Sequence, residues 1–221
     1  NRKMNTKSWI NFSLHETECA LTIFYSLLAF NEALKNKDAF HSANRNKEFW
    51  MVHNGSLWRT LFLYLGRLSD GGKDAKSFSD FNAHCIKNLS DFSKESFLKR
   101  RSDALLLNPD FLANAMFPDQ TALNNLFSLA SKYNGFLRAE CKTIRNKVYA
   151  HAIYTEEHEY YELFKNVKYS EIENALLALW SVSKHLWSCF ENARTINPII
   201  LPFSEKEEIY KSTLNILKGK V

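Results

Sequence analysis

The regular spacing of apolar side chains, in a chain with few turn-forming residues, most constrains what this sequence can fold into. Only six glycines and four prolines occur in 221 residues, which is too few for a sandwich or barrel of many short strands. Apolar residues instead recur at intervals of three and four, so that they line one side of a helix. With 45% hydrophobic residues available for a core, the sequence predicts an all-α helical bundle that forms a single domain over residues 1–221.

Capping residues and breaks divide this pattern into successive predicted helices. In chain order they run from Ser13 to about Leu34; from Leu57 to Leu68, after a break at Asn54-Gly55-Ser56; from near Ser79; from near Ser93; from Asp119 to Val148; from a capping box at Ser170–Glu173 to about Phe190; and from a capping box at Ser204–Glu207 to Gly219. The clearest predicted turns are Asp70-Gly71-Gly72, Asn108-Pro109 and Asn197-Pro198.

Charge, cysteine usage and hydropathy limit the environment and the partners of the chain. The net charge of +5 is a mild basic excess that favours an anionic partner. Cys19, Cys85, Cys141 and Cys189 are far apart in the sequence, so free and mostly buried thiols in a reducing cytosol are expected. The longest apolar run, Leu21 to Phe30, is about half as long as a membrane span. With no recognisable secretion leader, the sequence predicts a cytoplasmic protein without membrane association.

One segment concentrates basic side chains ahead of a histidine: RAECKTIRNKVYAH, from Arg138 to His151. A guanidinium binds phosphate through two charge-assisted hydrogen bonds, an asparagine amide can orient the same oxygens, and imidazole moves protons near neutral pH. Metal-free RNA cleavage needs a base for the 2′-hydroxyl, a cation for the phosphate and an acid for the leaving 5′-oxygen. Arg145, Asn146 and His151 are therefore the predicted catalytic residues, with no metal and no cofactor.

Further basic side chains are expected to contact RNA phosphates without taking part in the chemistry. They are Arg138, Lys142 and Lys147 in the same segment, and Lys99, Arg100 and Arg101 earlier in the chain. Such contacts contribute affinity that depends on salt concentration, because each one releases counterions from the nucleic acid.

Helical geometry leaves the relation between Arg145 and His151 open. On an ideal α-helix their separation in sequence puts the two side chains roughly 120° apart. Either the helix is reshaped or ends near Ala150, or the long arginine side chain reaches across, whereas Lys147 already shares the face of His151. A simpler alternative is a capped helix end, at which His151 and the basic side chains interact favourably with the helix dipole.

Arg145-Asn146, four further residues and His151 resemble the Arg-polar-(three to five residues)-His motif of HEPN domains. The block RNKVYAH is similar to the abortive-infection branch of that superfamily, as are LWRTLFLYLGRLSDGGKDAKSFSDF and YYELFKNVKYSEIENAL, so the resemblance covers about Leu57 to Ala193. It implies a HEPN-like bundle with additional peripheral helices and a symmetric homodimer whose two motifs meet in a shared cleft. It also implies a metal-independent endoribonuclease acting on RNA in phage defence or a toxin-like system, with an antitoxin or a neighbouring defence protein as a further partner.

Two alternatives to ribonuclease activity stay open. A HEPN domain without catalysis can serve as a module for nucleotide binding, RNA binding or protein docking, and a purely structural helical bundle is the third class. An RNA-cleavage assay in EDTA separates the ribonuclease from the HEPN domain without catalysis.

Other constellations in the sequence are weaker indications of function. His15-Glu16-Thr17-Glu18-Cys19 lacks the second histidine of an HExxH zinc site. The run from His151 to Glu159, with its acidic residues and His158, is more typical of a solvated loop than of a metal site. Trp180 and Trp187 lie at helical spacing, so they are expected in the core rather than in a base-stacking surface. Neither GxxxxGK[ST] nor GxGxxG occurs, which argues against ATP hydrolysis and dinucleotide redox chemistry.

Overall fold

Helices make up all the regular structure in the residues that the computed structural model describes, which are 4–70, 76–101, 111, 113–150, 162–165 and 167–219. They are α1 (Thr6–Ala33), α2 (Lys37–Arg45), α3 (Lys47–Leu68), α4 (Phe78–Lys87), α5 (Lys94–Arg100), α6 (Gln120–Ser131), α7 (134–150), α8 (Tyr169–Asn192) and α9 (Lys206–Leu217), with a 3₁₀ turn at Leu89–Phe92 and a helical turn at 162–165. The predicted all-α class is confirmed.

Helix α1 lies at the centre of the bundle because its apolar side chains are not confined to one narrow stripe. Leu21, Phe24 and Leu27 are fully buried, and α1 packs against α3, α8 and α9. Each such side chain contributes roughly 1.5–3 kcal/mol when it is removed from water. Helix α2 is peripheral, since Ala39 and Ala43 pack in a smaller cluster with the ends of α1 and α9.

The first two predicted helices differ from the structure at their beginnings. Helix α1 begins at Thr6, where the Asn5 side chain accepts a hydrogen bond from the Ser8 amide, and Ser13 is an interior residue whose hydroxyl bonds Ser183 at 2.8 Å. The predicted break at Asn54-Gly55-Ser56 is wrong, because α3 runs through it without interruption. A helical glycine costs only about 1 kcal/mol, which the packing of the rest of α3 outweighs.

The helices of the middle region confirm some predicted caps and correct others. Ser93 caps α5 and Asp119 caps α6, as predicted. Helix α4 is capped by Ser77 through a capping box with Asp80, rather than by Ser79. The long helix predicted from Asp119 to Val148 is two helices, because α6 ends at Ser131. The turns at Gly71-Gly72 and Asn108-Pro109 lie outside the described residues.

Neither predicted capping box in the last third of the chain forms. Helix α8 begins after Lys168 and α9 begins after Glu205, and no side chain caps either helix. Glu173 is engaged elsewhere: its Oε1 accepts hydrogen bonds from the Tyr25 hydroxyl at 2.8 Å and from Lys206 at 3.1 Å. Tertiary contacts between α1, α8 and α9 therefore replace the local cap.

The ends of the last two helices follow backbone conformation. Helix α8 ends earlier than the predicted Asn197-Pro198 turn, at Ala193, whose φ of 48° is left-handed. Gly219, with a φ of 66°, follows α9 as predicted, because a left-handed residue after a helix favours glycine.

All four cysteines carry free thiols, and Cys85, Cys141 and Cys189 are buried, as predicted. Burial raises the pKa of the Cys141 and Cys189 thiols to about 12 and raises that of Cys85 as well. These groups are therefore protonated at neutral pH and unreactive as nucleophiles. Among the described residues, no helix is both long and apolar enough to cross a membrane.

Candidate functional site

The segment that carries the candidate motif, α7, is helical throughout but irregular. α-Helical turns at Asn134–Phe136 and Lys142–Ile144 alternate with π-helical turns at Leu137–Cys141 and Arg145–Ala150. π-Helical turns widen a helix locally and are frequent at functional sites. The helix is therefore reshaped where the motif lies, which is one of the alternatives that the sequence left open.

Helix α7 is held in place by an apolar stripe that packs against α3. Leu137, Cys141 and Ile144 are 0–1% exposed, and their spacing of four and three is that of one helix face. The two helices run antiparallel: Arg145 contacts Gly66, and one turn away the ring of Tyr149 stacks on Phe62 at 5.7 Å. Packing against α3 thereby fixes the position of Arg145 along the bundle.

The Arg145 side chain crosses α3 at a position where only glycine fits. A Cβ on Gly66 would lie 2.1 Å from Cδ of Arg145. Beyond this crossing, Arg145 Nε donates to Asn146 Oδ1 at 2.8 Å, and its Nη1 lies 3.5 Å from Asp70 Oδ2. Only 20% of the Arg145 side chain is exposed, so its position is largely fixed by these neighbours.

Asp70, just beyond the end of α3, also holds Lys142 close to Arg145. Lys142 is a second side chain that is predicted to bind phosphate. Lys142 Nζ lies 3.0 Å from Asp70 Oδ1, while Arg145 contacts the other carboxylate oxygen. Lys142 and Arg145 are therefore neighbours around one carboxylate, and Asn146 is bonded to Arg145. Among the described residues, two cationic side chains face one carboxylate here, an arrangement that suits an anionic ligand.

The other predicted residues of the segment are less engaged with the bundle. Lys147 is exposed on α7, and Arg138 makes a 3.4 Å hydrogen bond to the Ser79 hydroxyl on α4. His151 lies outside the described residues. Its assignment as a catalytic residue stays a prediction from the sequence motif.

The second predicted basic cluster, Lys99 to Arg101, contacts the end of α8. Arg100 donates to the carbonyl oxygens of Asp91 at 2.7 Å and Phe190 at 3.0 Å, and its guanidinium lies 3.7 Å from the centre of the Phe190 ring. Arg101 donates to the carbonyl of Glu191 at 3.1 Å. Phe190 and Glu191 lie in the last turn of α8, whose carbonyl groups lack helical partners. These contacts join α5 to α8, and RNA binding by this cluster stays a prediction.

We expect Arg100→Ala to lower the free energy of unfolding by about 1 kcal/mol, because two charge-assisted hydrogen bonds at a partly exposed site are lost. Urea unfolding followed by circular dichroism measures this change. Lys99→Ala is the matched control, since Lys99 is an exposed neighbour on the same helix, and it should leave stability unchanged. Equal effects of the two substitutions would contradict a structural role for Arg100.

An aromatic pocket beside α7 was not predicted from the sequence. It encloses about 440 Å³ and is lined by Gly55, Trp58, Phe62, Tyr149, Phe164, Val167 and Tyr169. The sequence signal was the pair Trp58 and Phe62, four positions apart on one helix face. Both residues lie within the helix predicted from Leu57 to Leu68, but no local pattern connects them to Tyr149, Phe164 and Tyr169.

The weaker constellations have structural roles where the structure describes them. Glu16 is buried and forms an ion pair with Arg67, which ties α1 to α3. Trp180 is 5% exposed and belongs to the core, as predicted. Within the described residues, no cluster of three or more His, Cys, Asp or Glu side chains could hold a metal ion. The run from His151 to Glu159 lies outside those residues.

Comparison with known protein families gives a match that covers most of the chain. The family model HEPN AbiU2 matches residues 8–210. This range includes nearly all of α1 and only the beginning of α9, and it is wider than the stretch from Leu57 to Ala193 that the sequence blocks indicated. No curated protein and no solved structure matches the chain.

Proposed function

Since this chain belongs to the AbiU2 family of HEPN abortive-infection domains, we propose that it is a metal-independent endoribonuclease of phage defence or a toxin-like system. Its site consists of Arg145, Asn146 and His151. Family membership supports a ribonuclease or defence-related role. The arrangement of Arg145 is the observation that carries the proposal of chemistry at this site.

Arg145 is oriented before any substrate arrives. Nε donates to Asn146 and Nη1 faces Asp70, and the guanidinium has five N–H donors in all. The 3.5 Å separation from Asp70 is longer than the usual 2.7–2.9 Å or so of a charge-assisted hydrogen bond. A phosphate oxygen can therefore replace Asp70 at little cost while Asn146 keeps the guanidinium in place. Preorganisation of this kind is what lets a cation stabilise charge that develops in a transition state.

The reaction that suits these groups is transfer within the RNA backbone. The 2′-oxygen loses its proton to a base and attacks the adjacent phosphorus. The bond from phosphorus to the 5′-oxygen breaks, the 5′-oxygen takes up a proton, and the other product ends in a 2′,3′-cyclic phosphate. Imidazole can serve in either proton transfer, and Arg145 stabilises the negative charge on the phosphoryl oxygens. No metal ion takes part.

A homodimer completes this site. One chain supplies one Arg145 and one His151, whereas a two-fold axis through a shared cleft brings two of each together. Separate imidazoles are then available for the base and the acid. We therefore propose that the active form is a symmetric dimer.

The experiment that tests the proposal is RNA cleavage by the purified protein in EDTA, after light scattering has established the oligomeric state. We expect a dimer that cleaves end-labelled single-stranded RNA and leaves 2′,3′-cyclic phosphate ends. Adding Mg²⁺ should not be needed for the rate. Loss of cleavage on chelation would refute the metal-free mechanism, and cleavage by a monomer would refute the composite site.

Gly66→Ala should lower the cleavage rate about 10²-fold, because displacing a catalytic group by about 1 Å costs this much. The added methyl group occupies the space of Arg145 Cδ, so the guanidinium must move. Alanine also favours helix over glycine, so the thermal midpoint of unfolding should change little. Gly135→Ala is the matched control, since nothing lies within 4 Å of a Cβ there. Unchanged cleavage by Gly66→Ala would show that the observed position of Arg145 is not the active one.

A second candidate function is a catalytically silent module that docks a protein. The observation that favours it is the exposed apolar surface on the first turns of α3, where Phe49, Met51 and Val52 are 61%, 63% and 70% exposed. Exposed apolar side chains can mark protein contacts, and an antitoxin or a neighbouring defence protein is the partner expected there. A dimer that neither cleaves nor binds RNA would favour this function.

A further inference from the structure

The aromatic pocket contains a run of rings that are nearly parallel. Tyr169 stacks on Trp58 at 5.6 Å and 27°, Trp58 on Phe62 at 6.0 Å and 25°, and Phe62 on Tyr149 at 5.7 Å and 22°. Phe164 stands edge-on to Phe62 at 88°. Aromatic rings from α3, α7 and α8 thus line the cavity. A planar ligand meets the stacking geometry that aromatic rings prefer.

The described part of the lining suits a flat and uncharged ligand. None of the described lining residues carries a carboxylate, an ammonium or a guanidinium group. The volume of about 440 Å³ falls within the roughly 300–1,000 Å³ that is usual for small-molecule sites. Tyr169 is 48% exposed, so its ring is accessible from solvent.

Cationic side chains flank the pocket in the chain. Arg59 follows Trp58 and donates to the carbonyl oxygen of Tyr149 at 3.2 Å, while Lys168 precedes Tyr169 and is exposed. Flat aromatic faces combined with positive charge are what single-stranded nucleic acid requires, because bases stack and phosphates seek cations.

The pocket also has a fixed relation to the proposed phosphate site. Tyr149 follows Arg145 by one turn of α7, and their partners Phe62 and Gly66 are likewise one turn apart on α3. The four residues from Phe62 to Gly66 on α3 correspond to about 6 Å along the helix axis. Within a nucleotide, a single sugar separates the base from its phosphate.

We propose that the aromatic pocket binds one nucleobase of single-stranded RNA by stacking, close to the phosphate that engages Arg145. The position relative to Arg145 rests on the proposed function, whereas the stacking itself does not. Recognition by ring faces is tolerant of base identity, so the pocket supplies affinity and register rather than strict sequence specificity.

The test measures how tightly two matched glycine variants bind two nucleic-acid strands, one with bases and one without. A Cβ on Gly55 meets nothing within 4 Å, and Gly55 lines the pocket, so Gly55→Leu fills it without displacing the backbone. Gly135→Leu is the control, because its Cβ is equally unobstructed and Gly135 is not part of the lining. The probes are a fluorescein-labelled 2′-O-methyl hexaadenylate and an abasic strand of equal length and charge. Both lack the 2′-hydroxyl nucleophile, so binding is measured without cleavage.

In fluorescence anisotropy, the unmodified protein and Gly135→Leu should bind the hexaadenylate about tenfold more tightly than the abasic strand. Gly55→Leu should bind both strands with the lower affinity of the abasic strand. Tyr169→Leu should weaken the preference for bases and Tyr169→Phe should retain it. Both tyrosine variants serve as an independent test if Gly55→Leu folds poorly by circular dichroism.

A preference for bases that survives in Gly55→Leu and Tyr169→Leu would overturn the proposal. Loss of the dimer in Gly55→Leu, with the preference for bases intact, would assign the pocket to a protein contact instead. A protein that prefers the base-containing strand but does not cleave RNA supports the pocket and refutes the proposed function. RNA cleavage without any preference for bases supports the proposed function and refutes the base-binding pocket.

Discussion

Replacing His151 by alanine is expected to lower the rate of RNA cleavage about 10²–10⁴-fold, because a proton transfer in the transition state loses its catalyst. The helical circular dichroism signal and the dimer should persist, and RNA binding should largely survive. Single-turnover cleavage with excess protein measures the chemical step separately from binding. The residue lies outside the described part of the chain, so this prediction depends on the motif alone.

The matched control for this substitution is His41→Ala, since His41 is an exposed histidine on α2, outside the proposed site. It should cleave RNA at the unmodified rate. If cleavage persists in His151→Ala, the imidazole does not transfer the proton, and the proposed mechanism is wrong.

Arg145→Ala should lower cleavage by a comparable factor of about 10²–10³, the usual effect of removing a donor that stabilises transition-state charge. Arg145→Lys should restore only part of the rate, because an ammonium group cannot reproduce the planar fork of the guanidinium. A lysine side chain also has no counterpart of the arginine Nε, which donates to Asn146. Asn146→Ala should have a smaller effect than Arg145→Ala, since Asn146 orients the guanidinium.

The same single-turnover assay measures the Arg145 series, with Arg45→Ala on the exposed surface of α2 as the control. A full rate for Arg145→Lys would mean that Arg145 acts only as a point charge. Equal losses for Asn146→Ala and Arg145→Ala would instead mean that Asn146 contacts the phosphate directly.

Local sequence patterns predicted the helical class and several helix caps, because caps depend on residues a few positions apart. Ser93 and Asp119 cap helices as expected. The predictions failed where distant partners decide. Glu173 should have completed a local capping box, but it bonds Tyr25, 148 positions away in the sequence. Gly55 lies in a predicted break before a helix, but α3 runs through it, and the buried residues from Leu61 to Leu68 hold that helix in the bundle.

The candidate site was predictable only in part for the same reason. Arg145 and Asn146 are neighbours in sequence, and their motif identified them. Asp70 and Gly66, which fix the position of Arg145, lie in another helical segment, and no spacing rule connects them to it. The aromatic pocket likewise joins side chains from three helices and the turn at 162–165. Such assemblies require the three-dimensional fold.

The buried thiols can be used to detect local separation of the helices, because they become reactive only when they are exposed. Cys141 lies fully buried on α7, and the raised pKa keeps it protonated, so a maleimide or iodoacetamide reagent can modify it only after α7 separates from α3. Cys189 reports in the same way on the end of α8, whereas the partly exposed Cys19 reacts in the closed state. The order in which the cysteines are alkylated would therefore reveal whether the helix that carries the motif opens on its own or only when the whole bundle unfolds.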